Sequence, residues 1–196
     1  MKIGIFGATF DPPHYGHLIA AEYSRSLLGL NLIIFIPANR NPLKREQIPA
    51  PAEFRMEMLK AAVGGTPFYE VDDLELQRGG NSFMIETFLD LQKRYSLKKP
   101  EFYLLLGADS AKDFAHWKDY GSLAKMCEPI IFNRPGSNLS KVAANFPAPC
   151  STMEIPMIEI SSTLIRNRIS EGKSVKFLTP DTVIEIIERE KLYRVV

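Results

Sequence analysis

Cysteine is scarce in this chain of 196 residues, which contains only Cys127 and Cys150. Neither belongs to a Cys-x-x-Cys pair, so there is no thiolate-rich zinc motif and no thioredoxin-like redox motif. Two isolated cysteines are compatible with a reducing compartment, and we expect a cytoplasmic protein. No apolar run approaches the 18 residues or so of a membrane-spanning helix, so we expect neither a signal peptide nor a membrane partner.

An excess of charge of either sign is also absent. The chain has 24 Lys and Arg against 23 Asp and Glu, a formal net charge of +1. A nucleic-acid partner usually requires a strongly basic face, so we expect none, and any positive potential must be local. Hydrophobic residues make up 45% of the chain, which is ordinary for a folded domain. We therefore interpret residues 1–196 as one domain with its own core.

Two familiar glycine-rich motifs are missing as well. No Gly-x-x-x-x-Gly-Lys-Ser/Thr loop occurs, and no Gly-x-Gly-x-x-Gly follows the first apolar run. The first absence excludes a P-loop protein. The second weakens the case for a dehydrogenase that binds a dinucleotide.

Apolar runs alternate with helical patterns along the chain. The predicted strands are residues 2–6, 32–36, 68–76, 102–106, 129–132 and 154–160. Predicted helices follow Pro13, cover 52–63 and 82–95, and begin near 161–163 and at Thr179-Pro180-Asp181. Alternation of this kind is typical of a doubly wound α/β fold, a parallel sheet with helices on both faces. Ligands of such sheets bind at the carboxyl ends of the strands.

The loop after the first strand, Gly7-Ala8-Thr9-Phe10-Asp11-Pro12-Pro13-His14-Tyr15-Gly16-His17, is the first candidate site. His14 and His17 are three residues apart, so both project from one face of the first helical turn. A helix N-terminus attracts phosphate, and imidazoles can donate hydrogen bonds to phosphoryl oxygens. Metal ligation and a purely structural role remain open for these histidines.

The second candidate site is Ile160-Ser161-Ser162-Thr163-Leu164-Ile165-Arg166. Pro156 makes the preceding strand an edge strand or a bulged one. Hydroxyl groups and an arginine that shares a face with Ser162 would form a second phosphate site at a helix start. An ordinary capped helix with a solvated arginine is the alternative.

Taken together, these two stretches resemble the bacterial nicotinate-nucleotide adenylyltransferases. The resemblance extends over nearly the whole chain and includes residues 37–44, Gly107-Ala108-Asp109 with Trp117 after it, and Arg134-Pro135-Gly136. The wider superfamily with the same histidine motif includes pantetheine-phosphate adenylyltransferase and the class I aminoacyl-tRNA synthetases.

The resemblance implies a Rossmann-like, single-domain α/β fold in which helices within residues 161–192 complete the nucleotide site. It implies adenylyl transfer from ATP to nicotinate mononucleotide, giving nicotinic acid adenine dinucleotide and pyrophosphate in NAD biosynthesis. Mg²⁺ would be held mainly by the ATP phosphates, without a metal site on the protein. The sequence leaves a monomer and a homo-oligomer open.

The resemblance also implies roles for individual residues. His17 would stabilise the α-phosphate, His14 would position the triphosphate, and Arg166 would hold the leaving pyrophosphate. The nucleotide would contact Gly7, Ala8, Thr9, Phe10, Lys44, Gly107, Asp109, Arg134, Ile160, Ser162 and Thr163. The mononucleotide would contact Phe83, Met84 and Trp117.

Several of these residues have ordinary alternatives. Asp109 is interpreted either as a ribose ligand or as a helix N-cap, and Trp117 either as a stacking partner or as a core residue. Lys44 and Arg134 could each be an unremarkable loop cation. Met84 stands where many family members have a threonine, which leaves the choice between an acid and an amide substrate open.

Two alternative functions follow. One is the same chemistry on nicotinamide mononucleotide or another phosphorylated acceptor such as phosphopantetheine. The other is a regulator that binds a nucleotide without turnover.

Overall fold

The computed structural model describes residues 1–43, 48–96 and 100–194. In this part of the chain one parallel sheet is formed in the order β3-β2-β1-β4-β5-β6. Its strands are β1 Lys2–Ala8, β2 Leu32–Pro37, β3 Tyr69–Val71, β4 Glu101–Gly107, β5 Glu128–Phe132 and β6 Ser151–Met153. The chain therefore builds the sheet outward from β1 in one direction, then crosses over and builds it outward from β4.

Helices cover both faces of this sheet. They are α1 Tyr15–Leu28, α2 Ala52–Val63, α3 Leu74–Arg78, α4 Met84–Tyr95, α5 Ala108–Lys112, α6 Tyr120–Met126, α7 Leu139–Ala144, α8 Ser162–Ser170 and α9 Asp181–Arg189. One core cluster joins the sheet to residues of α4 to α7, and a second joins it to residues of α1 and α2. The predicted doubly wound α/β fold is confirmed.

The central strands are buried on both faces, which is why they are apolar without alternation. Ile3, Ile5, Ile33, Ile34 and Leu104 have no exposed surface. A strand that is covered by helices on both faces of the sheet has no solvent-facing position for a polar side chain. β1 and β4 are neighbours that lead to opposite halves of the sheet, and ligands of such folds bind beside the carboxyl ends of this strand pair.

Two strand predictions were wrong. Residues 68–76 were expected to form one strand, but β3 ends at Val71 and Leu74–Arg78 is helical. Residues 154–160 were expected to form the strand before the second motif, but the strand is Ser151–Met153 and the segment after it is irregular. Pro156 has no backbone N–H to donate, so this segment continues as a connection and not as an edge strand.

The spacing of Ala20, Tyr23, Leu27 and Leu30 predicts a buried stripe along α1, and this prediction was wrong in part. Tyr23 and Leu27 are 42% and 62% exposed, whereas Ala20, Ala21 and Ser24 are buried. Small residues face the sheet here, which lets the helix lie close to it.

The start of α9 differs from the prediction. Pro180 is its N-cap, and Thr179 does not cap it. The Thr179 hydroxyl is buried and donates instead to the Pro13 carbonyl, 2.7 Å away. Among the described residues, no helix is long and apolar enough to cross a membrane.

Candidate active site

The loop between β1 and α1 is held by the second motif. Arg166 Nη1 donates to the Asp11 carbonyl at 2.8 Å, and Ser162 Oγ donates to the Pro12 carbonyl at 2.8 Å. These contacts join residues about 150 positions apart in the chain. The two sequence motifs therefore meet in one place, and the N-terminus of α8 lies against the loop that carries the histidines.

Two further side chains, which sequence reasoning missed, hold the same loop. Arg55 is 1% exposed and donates from Nη1 to the Thr9 carbonyl at 2.8 Å and to the Ala38 carbonyl at 2.7 Å. Thr179 holds the Pro13 carbonyl as described above. Four loop carbonyls, those of residues 9, 11, 12 and 13, thus accept hydrogen bonds from side chains of distant elements. The loop is preorganised by tertiary contacts, since buried carbonyls require such partners.

His14 and His17 are stacked, with ring centroids 3.7 Å apart. Burial lowers the pKa of His14 to about 3, assisted by the positive charge of Arg134. Burial also lowers the pKa of His17 far below its usual range, with smaller contributions from His14 and Arg134. Both imidazoles are therefore neutral near pH 7.

The Nδ1 atoms of both histidines are buried, and no group of the described residues bonds to them. A buried polar atom without a partner is unfavourable and is common at functional sites. A neutral imidazole carries one N–H donor, so each ring can offer a hydrogen bond to a phosphoryl oxygen.

Phe10 supports His17 from the core. Its ring is 1% exposed and lies 4.9 Å from the His17 ring, edge on. The backbone of Phe10 is left-handed, with φ of 51°, which is rare for a bulky residue and is maintained by the packing around it. The side chain of Phe10 is therefore structural, and only its backbone can face a ligand.

Gly16 is required by the histidine arrangement itself. A Cβ atom at this position would lie 3.0 Å from the His14 ring and 3.3 Å from the Ile160 carbonyl. The space beside Gly16 is therefore occupied by the His14 ring and the Ile160 carbonyl, and not left open to a ligand. The Ile160 carbonyl therefore lies next to Gly16, which stands between the two histidines in the sequence.

The N-terminus of α8 is capped by Ser161, whose hydroxyl accepts from the Leu164 N–H at 3.1 Å. Ser162 is therefore released for the contact to Pro12. Arg166 Nη2 donates to the Thr163 hydroxyl at 3.3 Å, so Ser162, Thr163 and Arg166 share one side of the first turn. The helix is thus capped, and its arginine contacts the histidine loop and is not solvated alone; the phosphate site at this helix start stays a prediction.

Gly107, Asp109 and Arg134 form a contact group at the carboxyl ends of β4 and β5. A Cβ on Gly107 would lie 2.5 Å from Asp109 Oδ1 and 3.3 Å from Arg134 Cγ. Arg134 Nε lies 4.0 Å from Asp109 Oδ1. The N-cap of α5 is Gly107, without a side-chain hydrogen bond, so Asp109 does not act as the helix cap. Its exposed carboxylate is available to a ligand.

The residues predicted to contact the mononucleotide lie at the start of α4 and after α5. Met84 Cε covers Gly7 and occupies the place that a Cβ of that residue would take. Trp117 is half-buried, with its ring centroid 5.2 Å from that of Phe114. Lys118 Nζ lies 4.5 Å from the centroid of the Phe83 ring and 2.7 Å from a Glu86 oxygen. Trp117 therefore packs partly against the core and keeps part of its ring exposed, and its contact with the mononucleotide stays a prediction.

A cleft lies between the start of α1 and the segments that follow β5 and β6. Its walls include Ile19, Pro156 and Ile158. Asn133, which sequence reasoning missed, shapes this cleft because its amide group pairs with both backbone groups of Ile155, at 2.9 and 2.7 Å. The complete lining is Gly16, Ile19, Asn133, Arg134, Pro135, Ile155, Pro156 and Ile158.

Lys44, predicted to contact the nucleotide, lies outside the described residues. Within residues 1–43, 48–96 and 100–194, no group of three or more His, Cys, Asp or Glu side chains is arranged to hold a metal ion. The site is instead a convergence of hydrogen-bond donors: neutral imidazoles, two arginines and a helix N-terminus. Donors of this kind fit phosphate oxygens.

Comparison with known proteins gives the class first. The cytidylyltransferase-like family model matches residues 5–168. The chain also superposes, with a TM-score of 0.81 over 98% of its length and 97% of the other chain, on a Plasmodium falciparum nicotinic acid mononucleotide adenylyltransferase complexed with NaAD. The identity is 19%, so this likeness supports the fold alone. The family model, which matches most of the chain, defines its class as the nucleotidyltransferases.

Closer relatives define the family within this class. A probable nicotinate-nucleotide adenylyltransferase of Desulfitobacterium hafniense is 38% identical over 99% of this chain and 96% of that protein. One of Dictyoglomus turgidum is 39% identical over 98% of this chain and 96% of that protein. The chain belongs to the nicotinate-nucleotide adenylyltransferase family.

Proposed function

We propose that this chain transfers the adenylyl group of ATP to nicotinate mononucleotide, giving nicotinic acid adenine dinucleotide and pyrophosphate. The observation that carries the proposal is the stacked, neutral pair His14 and His17, in the loop after β1 whose Asp11 carbonyl is bound by Arg166. Membership of the family supports the same reaction. The unpaired cysteines Cys127 and Cys150 are consistent with a cytoplasmic location.

The chemistry needs positioning more than acid–base groups. A phosphate oxygen of the mononucleotide attacks the α-phosphorus of ATP in line, and the bond to pyrophosphate breaks. The attacking oxygen is already anionic, so no base is required and no covalent enzyme intermediate is needed. Catalysis is then orientation and stabilisation of the charge that develops on the α-phosphate.

His17 and His14 act as neutral donors in this scheme. His17 donates to an α-phosphate oxygen as charge accumulates there, and His14 donates to the triphosphate and positions it. Neutral imidazoles are suitable because a buried, preorganised donor needs no proton transfer during the step. The backbone of residues 7–10 lies along the path of the phosphates.

Arg166, with Ser162 and Thr163, holds the β- and γ-phosphates at the N-terminus of α8. Phosphate oxygens are stronger acceptors for a guanidinium than a backbone carbonyl or a hydroxyl is. We therefore expect Arg166 to exchange its contact with Thr163 for one with ATP, while its contact to the Asp11 carbonyl keeps it in place.

Mg²⁺ fits this site as a partner of the phosphates. The donor set of imidazoles and guanidinium groups binds the phosphate oxygens, leaving other oxygens and water to hold the ion. When bound, Mg²⁺ would supply charge neutralisation at the phosphates. The protein's own part is to fix the triphosphate relative to His17.

The nucleobase and the ribose of ATP are assigned by matching their apolar and polar parts to the surfaces around the histidine loop. The cleft walled by Ile19, Pro156 and Ile158 suits the flat, largely apolar faces of the nucleobase, with Ile160 beside it. Asp109 and Arg134, beside Gly107, would contact a ribose hydroxyl and the nucleotide phosphates. Contact of Lys44 with the phosphates stays a prediction from the family resemblance.

The acceptor would lie near Trp117, Phe83 and Met84. Trp117 would stack on the pyridine ring with its exposed part, and the backbone N–H groups at the start of α4 would bind the carboxylate. Met84 packs on Gly7 and offers no hydroxyl donor. Preference for the acid over the amide therefore depends on backbone donors.

The test is a pyrophosphate-release assay with ATP and Mg²⁺, comparing nicotinate mononucleotide with nicotinamide mononucleotide. Release with the acid form, at least about tenfold faster than with the amide, supports the proposal. Equal release with both would mean that the pocket at Met84 accepts the amide as well as the acid. If ATP binds without release with either, the acceptor is another phosphorylated compound or the chain is a regulator.

A further inference from the structure

Asp11 places a carboxylate inside the molecule, directly beside the proposed pyrophosphate site. The residue is 6% exposed. Its Oδ1 accepts hydrogen bonds from the Tyr193 hydroxyl at 2.7 Å and from the Ala50 N–H at 3.1 Å. Its Oδ2 lies 3.8 Å from Arg166 Nη1, beyond hydrogen-bond distance. The anion is thus fully engaged on one oxygen while the other faces the arginine.

Tyr193 reaches this position from the far end of the chain. It follows α9 and has a left-handed backbone, with φ of 62°, which turns its side chain toward Asp11. Burial and the neighbouring Asp11 raise the pKa of the Tyr193 hydroxyl, so the group remains a donor at any physiological pH. A bulky residue in this backbone conformation indicates that tertiary contacts determine its position.

We propose that Tyr193 is a positioning residue of the adenylyl-transfer site, and that its hydroxyl holds the Asp11 carboxylate away from Arg166, leaving that guanidinium available to the phosphates of ATP. The inference rests on the proposed function only in the role it gives to Arg166. The contacts that carry it are those of Tyr193, Ala50 and Arg166 with the carboxylate of Asp11.

The physical reason is competition for a cation. An arginine and a carboxylate at hydrogen-bond distance form a strong bidentate pair. Without the tyrosine hydroxyl, only the longer hydrogen bond from the Ala50 N–H holds Oδ1, and the carboxylate can turn to pair with Arg166 on both oxygens. The arginine would then be neutralised and drawn toward the loop, and ATP would have to break that pair before it could bind.

The experiment compares the full-length chain with Tyr193→Phe, which removes only the hydroxyl oxygen. Affinity for ATP with Mg²⁺ is measured by calorimetry, and KM for each substrate and kcat by pyrophosphate release. We expect the Kd and KM for ATP to rise about tenfold, the effect of about one strong hydrogen bond. The KM for the mononucleotide should change by less than about twofold, the part of the result that a purely structural tyrosine would not produce.

Two further variants make the test decisive. Tyr23→Phe removes a hydroxyl from the exposed face of α1 and should behave as the parent chain does. In an Asp11→Asn background the charge that competes for Arg166 is gone, so adding Tyr193→Phe should leave the Kd for ATP unchanged. An unchanged Kd for ATP in Tyr193→Phe alone, or a full additional loss in the double variant, would overturn the proposal.

The Kd for ATP also separates this proposal from the proposed function. If the parent chain binds ATP but releases no pyrophosphate with any acceptor, the reaction is wrong. The comparison of Kd values still decides whether Tyr193 controls Arg166.

Discussion

The imidazole of His17 is the side chain on which the proposed transition state depends most directly. Its ring packs between the rings of His14 and Phe10, and this packing fixes the direction in which it donates a hydrogen bond. We expect His17→Ala to lower kcat at least about a hundredfold, the usual effect of losing a transition-state donor, while the Kd for ATP changes less. Steady-state pyrophosphate release and ATP calorimetry measure the two quantities.

The matched control for this prediction is His116→Ala, an exposed residue at the end of the 3-10 turn Phe114–His116. Its kcat should equal that of the parent chain. A His17→Ala variant with parental turnover would remove this imidazole from the mechanism.

Trp117 is the residue at which substrate affinity and core packing can be separated. The ring packs on Phe114 and keeps part of its surface exposed. If that part stacks on the pyridine ring, Trp117→Ala should raise the KM for the mononucleotide at least about fivefold, the effect of about one lost stacking contact. The KM for ATP should hardly change. Phe68→Ala, at the amino end of β3, is the control, and equal rises of both KM values would mark Trp117 as a core residue.

At the scale of elements, Arg55 joins the ends of β1 and β2 to the start of α2. Besides its bonds to Thr9 and Ala38, its Nε donates to the Ala50 carbonyl at 3.0 Å. We expect Arg55→Met to lower the free energy of unfolding by about 3 kcal/mol or more, because buried carbonyls lose charged donors. Urea unfolding measures this change.

Lys60→Met, at an exposed position of the same helix, is the comparison for Arg55→Met. It should change the free energy of unfolding by less than about 0.5 kcal/mol. A loss below about 1 kcal/mol in Arg55→Met would mean that the loop carbonyls find water or other donors in its place.

The helices and strands that could be predicted from the sequence are those whose buried faces produce a clear pattern of apolar residues. α2 begins and ends at the predicted residues, and the central strands follow from continuous apolar runs. Residues 68–76 and 154–160 mix apolar with acidic residues, and their backbone hydrogen bonding depends on the neighbouring segments. β3 lies at the edge of the sheet, and Pro156 lies in the connection between β6 and α8. Local composition does not distinguish an edge strand from an extended connection.

The site was only partly accessible to prediction for a related reason. Motif residues such as His14, His17 and Arg166 are visible because they cluster along the chain. Arg55, Thr179 and Tyr193 act on the same loop, yet each is a single residue far from it in sequence. Their hydrogen bonds to carbonyls and to Asp11 exist only once the sheet, α2 and α9 are assembled. No spacing rule could have selected them.

For the whole molecule, the buried histidine pair links the site to acid stability. The folded-state pKa of His14 is about 3, and burial also depresses that of His17, whereas an unfolded histidine titrates near 6.5. The neutral forms are favoured by folding, so this stability is fully present above pH 6.5 or so and is lost as the pH falls toward the folded pKa. The unfolded chain binds more protons throughout that window.

We therefore expect the free energy of unfolding to fall by about 2 kcal/mol between pH 7 and pH 5 from His14 alone, with His17 adding to the loss. Urea unfolding at several pH values measures the slope, and His14→Asn should flatten it, whereas His116→Asn should not. ATP should oppose the loss, because the anionic triphosphate favours protonated imidazoles beside it. If the parent chain, His14→Asn and His116→Asn show the same dependence of unfolding free energy on pH, other groups control the acid response. The two histidines would then be solvated before unfolding begins.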